Sequence, residues 1–145
     1  MADIKTILFA TDFSEGSARA CDMARTLAAL SGARLHVLHV IGELVDKRSR
    51  MLTSEVVATL AREVERHAVE DMHRFVDANF AGLTTTTEIV IGVAHEEVVD
   101  QARKVGADLI VMGTHGRTGL EKMLVGSTAE KVVRSSPVPV LTVRE

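Results

Sequence analysis

The stretch from Gly113 to Thr128 reads GTHGRTGLEKMLVGST. It lies between a short apolar run, Asp108 to Met112, and a segment with helical character, Ala129 to Arg134. A short apolar run bounded by turn residues is typical of a buried strand. Gly113 and Gly116 therefore follow a strand end, and Gly126 precedes a helix. Glycine lets backbone approach a ligand closely, and a helix N-terminus offers unpaired N–H groups with a partial positive charge. The stretch predicts a phosphate-binding unit, for which a nucleotide is the favoured ligand.

A purely structural explanation of the same stretch stays open. Ser127 and Glu130 have the S-x-x-E spacing of a helix capping box, which needs no ligand. Two features favour a ligand: the connection is longer than the roughly 2–6 residues usual in α/β units, and it carries His115, Arg117 and Lys122, which suit an anion. The stretch contains neither a Walker A motif nor the dinucleotide G-x-G-x-x-G fingerprint. Any phosphate cradle here therefore belongs to another nucleotide-binding fold.

Outward from this stretch, strands and helices alternate along the chain. The predicted strands are Ile4–Ala10, Arg34–Val40, Thr84–Ile91, Asp108–Met112 and Val138–Val143, and the predicted helices are 15–30, Thr53–Phe80, Ala94–Val105 and Ala129–Arg134. Such alternation favours an α/β fold, a parallel sheet with helices on both faces. For the long helix we expect these residues to face inward: Val56, Val57, Leu60, Val64, Met72, Phe75 and Val76. Ser14 is the expected N-cap of the first helix, and Gly32 and Gly106 are expected to end the first and third helices.

Composition limits the classes of function. A chain of 145 residues is expected to be one domain, residues 1–145. The formal charge of −3 and the presence of only four aromatic residues, all Phe, argue against nucleic acid as a partner. The single Cys21 excludes an internal disulfide and a cysteine-based zinc site, and we expect it to be inert. Because neither a signal-peptide pattern nor a long apolar span occurs, the sequence predicts no membrane insertion and a cytoplasmic location.

The spacing Gly113-x2-Gly116-x9-Gly126-Ser127 resembles the signature of the universal stress protein family, in its nucleotide-binding branch. The segments ILFATDFS (7–14), LHVLHV (35–40), AEKVVR (129–134) and PVPVL (137–141) resemble the same family, so the resemblance spans essentially the whole chain. It implies an open five-stranded parallel sheet of order 3-2-1-4-5, a Rossmann-like fold of the adenine nucleotide alpha hydrolase type. It also implies a bound ATP, ADP or AMP, with Mg²⁺ carried by the phosphates.

Strand order and motif position converge on one crevice. In that topology the winding reverses between strands 1 and 4, and ligands of open α/β sheets bind at such a switch point. Asp12 follows strand 1 and suits an amino group, a ribose hydroxyl or a metal; its alternative role is an Asx turn. The resemblance implies that Val40 reads the adenine edge with its backbone and that Ala10 and Thr11 wall the base or ribose. The full cofactor-binding set is Ala10, Thr11, Asp12, Val40, Met112, Gly113, His115, Gly116, Arg117, Gly126, Ser127 and Thr128.

Three functions fit these residues. The leading hypothesis is an ATP-binding universal stress protein that acts as a nucleotide-gated stress-response or regulatory module. The second is a slow ATPase or autophosphorylating enzyme, although no catalytic residue or metal site is predicted. The third is a homodimeric interaction module without nucleotide. The last strand, Val138 to Val143, begins beside Pro137 and Pro139 and reads as an edge strand; the resemblance implies a homodimer through it.

Overall fold

The structure is a computed structural model and describes residues 3–42, 53–114 and 126–144. Its strands are β1 (Thr6–Ala10), β2 (Arg34–Ile41), β3 (Thr85–Ile91), β4 (Leu109–Gly113) and β5 (Val140–Val143). Its helices are α1 (Ala18–Ser31), α2 (Ser54–Asn79), α3 (Ala94–Val105) and α4 (Ser127–Ser135), with a short 3₁₀ turn at Glu15–Ser17 before α1. None of the helices within these ranges is both long and apolar enough to cross a membrane.

The five strands form one parallel sheet in the order β3-β2-β1-β4-β5, as predicted. β1 is central and pairs with β2 on one side and β4 on the other, so that Ala10 lies opposite both Leu38 and Met112. At the amino edge of the sheet, Asp108 Oδ2 accepts hydrogen bonds from the backbone N–H groups of Lys5 and Thr6, at 2.9 and 3.0 Å. These two bonds fix where β4 begins against β1.

Helices cover both faces of the sheet, and each face has its own aliphatic core. Alternate residues of the strands face opposite sides of a sheet. One core packs α1 and α2 against β1, β2 and β4 through Ile7, Phe9, Leu35, Val37, Val111, Ala24 and Met72. The other packs α3 and α4 through Leu8, Leu38, Ile110, Met112, Val98, Ala102 and Val132. Burial of both faces explains why the central strands are apolar throughout rather than alternating.

Helix ends follow the glycines. Gly32 and Gly106 adopt left-handed conformations with φ of 71° and 65° at the ends of α1 and α3, as predicted, and α3 has the predicted bounds. The long helix differs from its prediction. Val56, Leu60 and Val64 were expected to face inward but are 43%, 49% and 38% exposed, while burial in α2 begins only at Ala68 and continues at Met72. The first turns of α2 therefore carry an apolar stripe that does not pack into the core.

Candidate functional site

The carboxyl edge of the sheet has a gap where β1 ends, because both neighbouring strands, β2 and β4, continue beyond the residues that pair with Ala10. β1 pairs with β2 only as far as Ala10 opposite Leu38, whereas β2 continues to Ile41. The carbonyl of Leu38 accepts a hydrogen bond from Thr11 N–H at 3.0 Å, so it points towards β1. Because backbone polar groups two residues apart in a strand point the same way, the N–H and C=O of Val40 point past the end of β1. Val40 thus presents a donor and an acceptor to the crevice.

A hydrogen-bonded turn closes β1 on the other side of this gap. Thr11 is buried, and its Oγ1 accepts from Phe13 N–H at 3.0 Å. Asp12 is half-buried, and its Oδ1 accepts from Ser14 N–H at 2.9 Å, which is the Asx turn that the sequence left open. Ser14 was expected to be the N-cap of the first helix, but the N-cap of α1 is Ser17. Ser14 instead precedes the 3₁₀ turn, where its carbonyl accepts from Ser17 N–H and Ser17 Oγ. The first turn of the α1 segment is thus held by Asp12 and Ser17.

His39 and Phe13 form a contact at this edge that sequence reasoning missed. His39 Nδ1 lies 2.9 Å from the carbonyl oxygen of Thr11. Its ring stacks on Phe13, with centroids 4.4 Å apart and planes 27° apart. Phe13 has φ of 63°, and it is the one non-glycine residue with positive φ among those described. The sequence carried one signal: His39 directly precedes Val40 at the end of a strand that leads into the predicted crevice.

The glycine stretch starts and ends at one place. Gly113 is the last residue of β4 rather than the first residue after it, because its pairing with Val143 extends the strand. Thr114 is buried; its N–H donates to Val143 at 3.1 Å, and its carbonyl accepts from Gly126 N–H at 2.7 Å. The intervening positions, including the predicted ligands His115, Gly116 and Arg117, lie outside the described residues.

The capping box that the sequence left open as a structural explanation does not form at the start of α4. Gly126 is the N-cap residue, and Ser127 is the first residue inside the helix. Glu130 does not reach back to the helix start; its side chain pairs with Arg134 at 2.8 Å. Helical hydrogen bonding begins with Glu130 N–H donating to Gly126 at 3.0 Å, so the N–H groups of Ser127, Thr128 and Ala129 precede the first helical bond. Without a capping role, exposed Ser127 is available to an anion, whereas the Gly126 N–H is already engaged.

Two other described side chains with chemical potential, His36 and Cys21, are buried away from this edge of the sheet. His36 faces the α3 side of the sheet, with Nδ1 2.7 Å from Thr86 Oγ1, and so points away from His39, as the strand alternation predicts. Across the described ranges no three His, Cys, Asp or Glu residues cluster in a way that could hold a metal ion. Cys21 lies on the buried side of α1, and this burial raises the pKa of its thiol to about 11, which makes it a poor nucleophile.

Fold and edge geometry together define a class: a doubly wound α/β protein with a crevice at its topological switch point. Residues 3–144 match the model of the universal stress protein family. The chain is 33% identical to universal stress protein MJ0577 of Methanocaldococcus jannaschii, over 97% of this chain and 94% of that protein. It is 32% identical to universal stress protein YxiE of Bacillus subtilis, over 95% and 97% of the two chains. The chain belongs to the universal stress protein family.

Solved structures agree with this assignment. The structure of MJ0577 superposes with a TM-score of 0.87 and 32% identity, covering 99% of this chain and 98% of the other. A universal stress protein solved in complex with cAMP superposes with a TM-score of 0.63 and 27% identity, covering 99% and 98% of the two chains. Those likenesses establish the fold and show that one relative holds an adenine nucleotide.

Proposed function

We propose that this protein binds ATP or a related adenine nucleotide in the crevice between the ends of β1 and β4 and acts as a nucleotide-gated regulatory module. The observation that carries the proposal is the hydrogen bond from Gly126 N–H to the Thr114 carbonyl. It returns the N-terminus of α4 to the end of β4, whose Met112 is paired with Ala10 at the end of β1. Phosphates favour such a helix N-terminus because it offers N–H groups and partial positive charge.

The two ends of the crevice suit the two ends of a nucleotide. On the α3 and α4 face, Ala10, Val40 and Met112 belong to one apolar cluster, which suits a base. The Val40 backbone supplies a donor and an acceptor in line with an adenine edge, and Asp12 lies where a ribose hydroxyl or amino group would be accepted. At the other end, Ser127 and Thr128 supply N–H groups and hydroxyls for phosphate oxygens. His115, Gly116 and Arg117 complete the proposed set, and Mg²⁺ would enter with the phosphates.

The test is titration with Mg²⁺ and ATP by calorimetry, comparing the natural chain with Gly126→Val. Gly126 has φ of −69°, a conformation open to any residue, so the substitution should preserve the fold. Its branched side chain would occupy the space that the phosphates need. Ser135→Val, at the opposite end of α4, is the matched control. We expect Gly126→Val to abolish the heat of binding and Ser135→Val to leave it unchanged; equal affinities for all three would refute the phosphate site.

We further propose that two copies of the chain pair through β5. This strand is an edge of the sheet, with β4 as its neighbour in the sheet, and all four of its residues are only half-buried. An apolar edge strand is an aggregation liability unless it is paired or covered. Pairing with a second copy would cover Val140, Leu141 and Val143 at once.

A further inference from the structure

We infer that His39 is a positioning residue for the crevice: its Nδ1–H, donated to the Thr11 carbonyl, holds the end of β1 against the end of β2 and sets the turn that carries Asp12. The contact between His39 and Thr11 is given by the geometry alone. Its expected effect on nucleotide affinity rests on the proposed function. His39 itself would not contact the nucleotide. It acts through its bond to Thr11. Asp12, which follows Thr11, and Val40, which follows His39, form the proposed base and ribose end of the crevice.

The tautomer of His39 follows from the bond it makes. A carbonyl oxygen only accepts hydrogen bonds, so at 2.9 Å from the Thr11 oxygen the His39 Nδ1 must carry the hydrogen. In the neutral ring the lone pair is then on Nε2. Protonation of the ring leaves the Nδ1–H in place, so this bond persists in either charge state.

The turn beside His39 contains a disfavoured backbone conformation. Left-handed backbone is uncommon for a bulky side chain, and Phe13 has φ of 63°. Strained conformations persist where surrounding contacts over-determine them, and they concentrate at functional sites. Here Thr11 Oγ1 accepts the Phe13 N–H at 3.0 Å, and Asp12 Oδ1 accepts the Ser14 N–H at 2.9 Å. These two bonds stop the turn from relaxing by rotation about Phe13.

The aromatic contacts hold the Phe13 side chain from two elements. His39 stacks on one side at 4.4 Å, and Phe75 of α2 lies 5.5 Å away. Phe75 in turn contacts Phe9 and Phe80 at 6.1 and 5.7 Å, so all four phenylalanines of the chain belong to one connected group with His39. The group links the crevice edge to the buried half of α2. His39 therefore has two separable contributions, a ring that stacks and an N–H that positions.

Two substitutions separate these contributions. His39→Phe keeps an aromatic ring against Phe13 and removes the donor. His39→Asn removes the ring and keeps an amide N–H close to where Nδ1 stands. If the N–H is what positions the turn, His39→Phe should weaken Mg²⁺–ATP binding about tenfold, the factor that loss of one ordinary hydrogen bond gives, while His39→Asn should stay within about threefold of the natural chain. A merely structural role through stacking predicts the reverse order.

The experiment combines calorimetry with Mg²⁺–ATP, thermal unfolding of each variant, and ¹⁵N NMR of the imidazole in the natural chain. We expect the Nδ1–H tautomer and an affinity loss in His39→Phe that its melting temperature does not follow. An Nε2–H tautomer, or equal affinities for His39→Phe and the natural chain, would overturn the inference while leaving nucleotide binding intact. Absence of heat from the natural chain would instead refute the proposed function, and the inference with it.

Discussion

At the residue scale, His36 makes the stability of the fold dependent on pH. The residue is 6% exposed, Thr86 and Gln101 face its ring, and Nε2 is buried with no hydrogen-bond partner among the residues that the structure describes. Burial lowers the pKa of His36 below 6.5 and outweighs the opposing effects of Gln101 and of nearby Glu88. Since the unfolded chain takes up this proton at higher pH than the folded chain, stability is full above pH 6.5 and falls as pH drops below it, by at most about 1.4 kcal/mol per pH unit.

The measurement is urea unfolding of the natural chain and of His36→Gln between pH 7.5 and pH 5, a range that spans the ordinary histidine pKa of about 6.5. Gln keeps a polar group near Thr86 and does not titrate. We expect the free energy of unfolding of the natural chain to fall more steeply with acid than that of His36→Gln. Parallel pH profiles would mean that another group, and not His36, carries the acid sensitivity.

Glycines at helix ends offer a second residue-scale prediction. Gly106 ends α3 with φ of 65°, and a Cβ there would meet no neighbour within 4 Å, so any cost of Gly106→Ala comes from backbone conformation alone. Left-handed backbone disfavours alanine by about 1 kcal/mol. A Cβ at Gly42 would likewise meet none of the described residues within 4 Å, and Gly42 has no positive φ, which makes Gly42→Ala the matched control. Chemical denaturation should show a loss for Gly106→Ala and little change for Gly42→Ala; equal effects would contradict this origin.

At the element scale, the two halves of α2 should respond differently to truncation. Met72 is buried against the sheet, whereas Leu60, three turns earlier, is 49% exposed. Met72→Ala should cost about 2–4 kcal/mol of unfolding free energy because it removes buried methylenes and leaves a cavity. Leu60→Ala should cost less than about 0.5 kcal/mol, since surface substitutions are usually within that range and alanine favours helix. A loss at Leu60 comparable to that at Met72 would indicate that the stripe is covered in solution.

The same helix illustrates what the sequence could and could not predict. Apolar spacing predicted α2 as a helix and Met72 and Phe75 as inward, yet it wrongly placed Val56, Leu60 and Val64 in the core. Periodicity identifies which side of a helix is apolar. It does not show how many turns of that helix lie over the sheet, because this depends on the lengths of strands elsewhere in the chain. By contrast, α3 matched its predicted bounds, because Gly106 ends it through a local backbone preference that the sequence itself displays.

In the candidate site, too, some features could be predicted from the sequence and others could not. Alternation predicted a parallel α/β sheet, whereas the strand order, and hence the meeting of β1 and β4 at one edge, was implied by the family resemblance and is confirmed by the structure. Sequence alone left the capping box at Ser127 open, because its four-residue spacing does not show whether Gly126 or Ser127 is the N-cap residue; in the structure Gly126 is the N-cap, and its N–H is bonded to Thr114. The His39–Thr11 bond and the His39–Phe13 stack join different elements across the sheet edge. Neither follows from any periodicity within one element.

At the scale of the whole molecule, the direction of hydrogen bonding in β5 leaves a defined edge for a second copy. The carbonyls of Pro139 and Val143 accept from Ile110 and Thr114 of the neighbouring strand, at 3.0 and 3.1 Å. Because backbone groups alternate sides along a strand, the N–H and C=O of Thr142 point away from β4, towards the outer edge. Proline at position 142 would remove the outward-pointing N–H of Thr142 without removing a hydrogen bond to β4. The preceding residue, Leu141, lies within the strand and so already has the extended backbone that a following proline favours.

Thr142→Pro therefore tests the proposed pairing of two copies through β5. We expect the natural chain and the control Thr142→Val, which keeps the N–H and the β-branched shape, to sediment as dimers. Thr142→Pro should sediment as a folded monomer with the far-ultraviolet circular dichroism of the natural chain, because edge pairing needs the donor that proline lacks and the fold does not. If Thr142→Pro remained a dimer, the copies would meet through another surface, and the covering of the apolar β5 edge would need a different explanation.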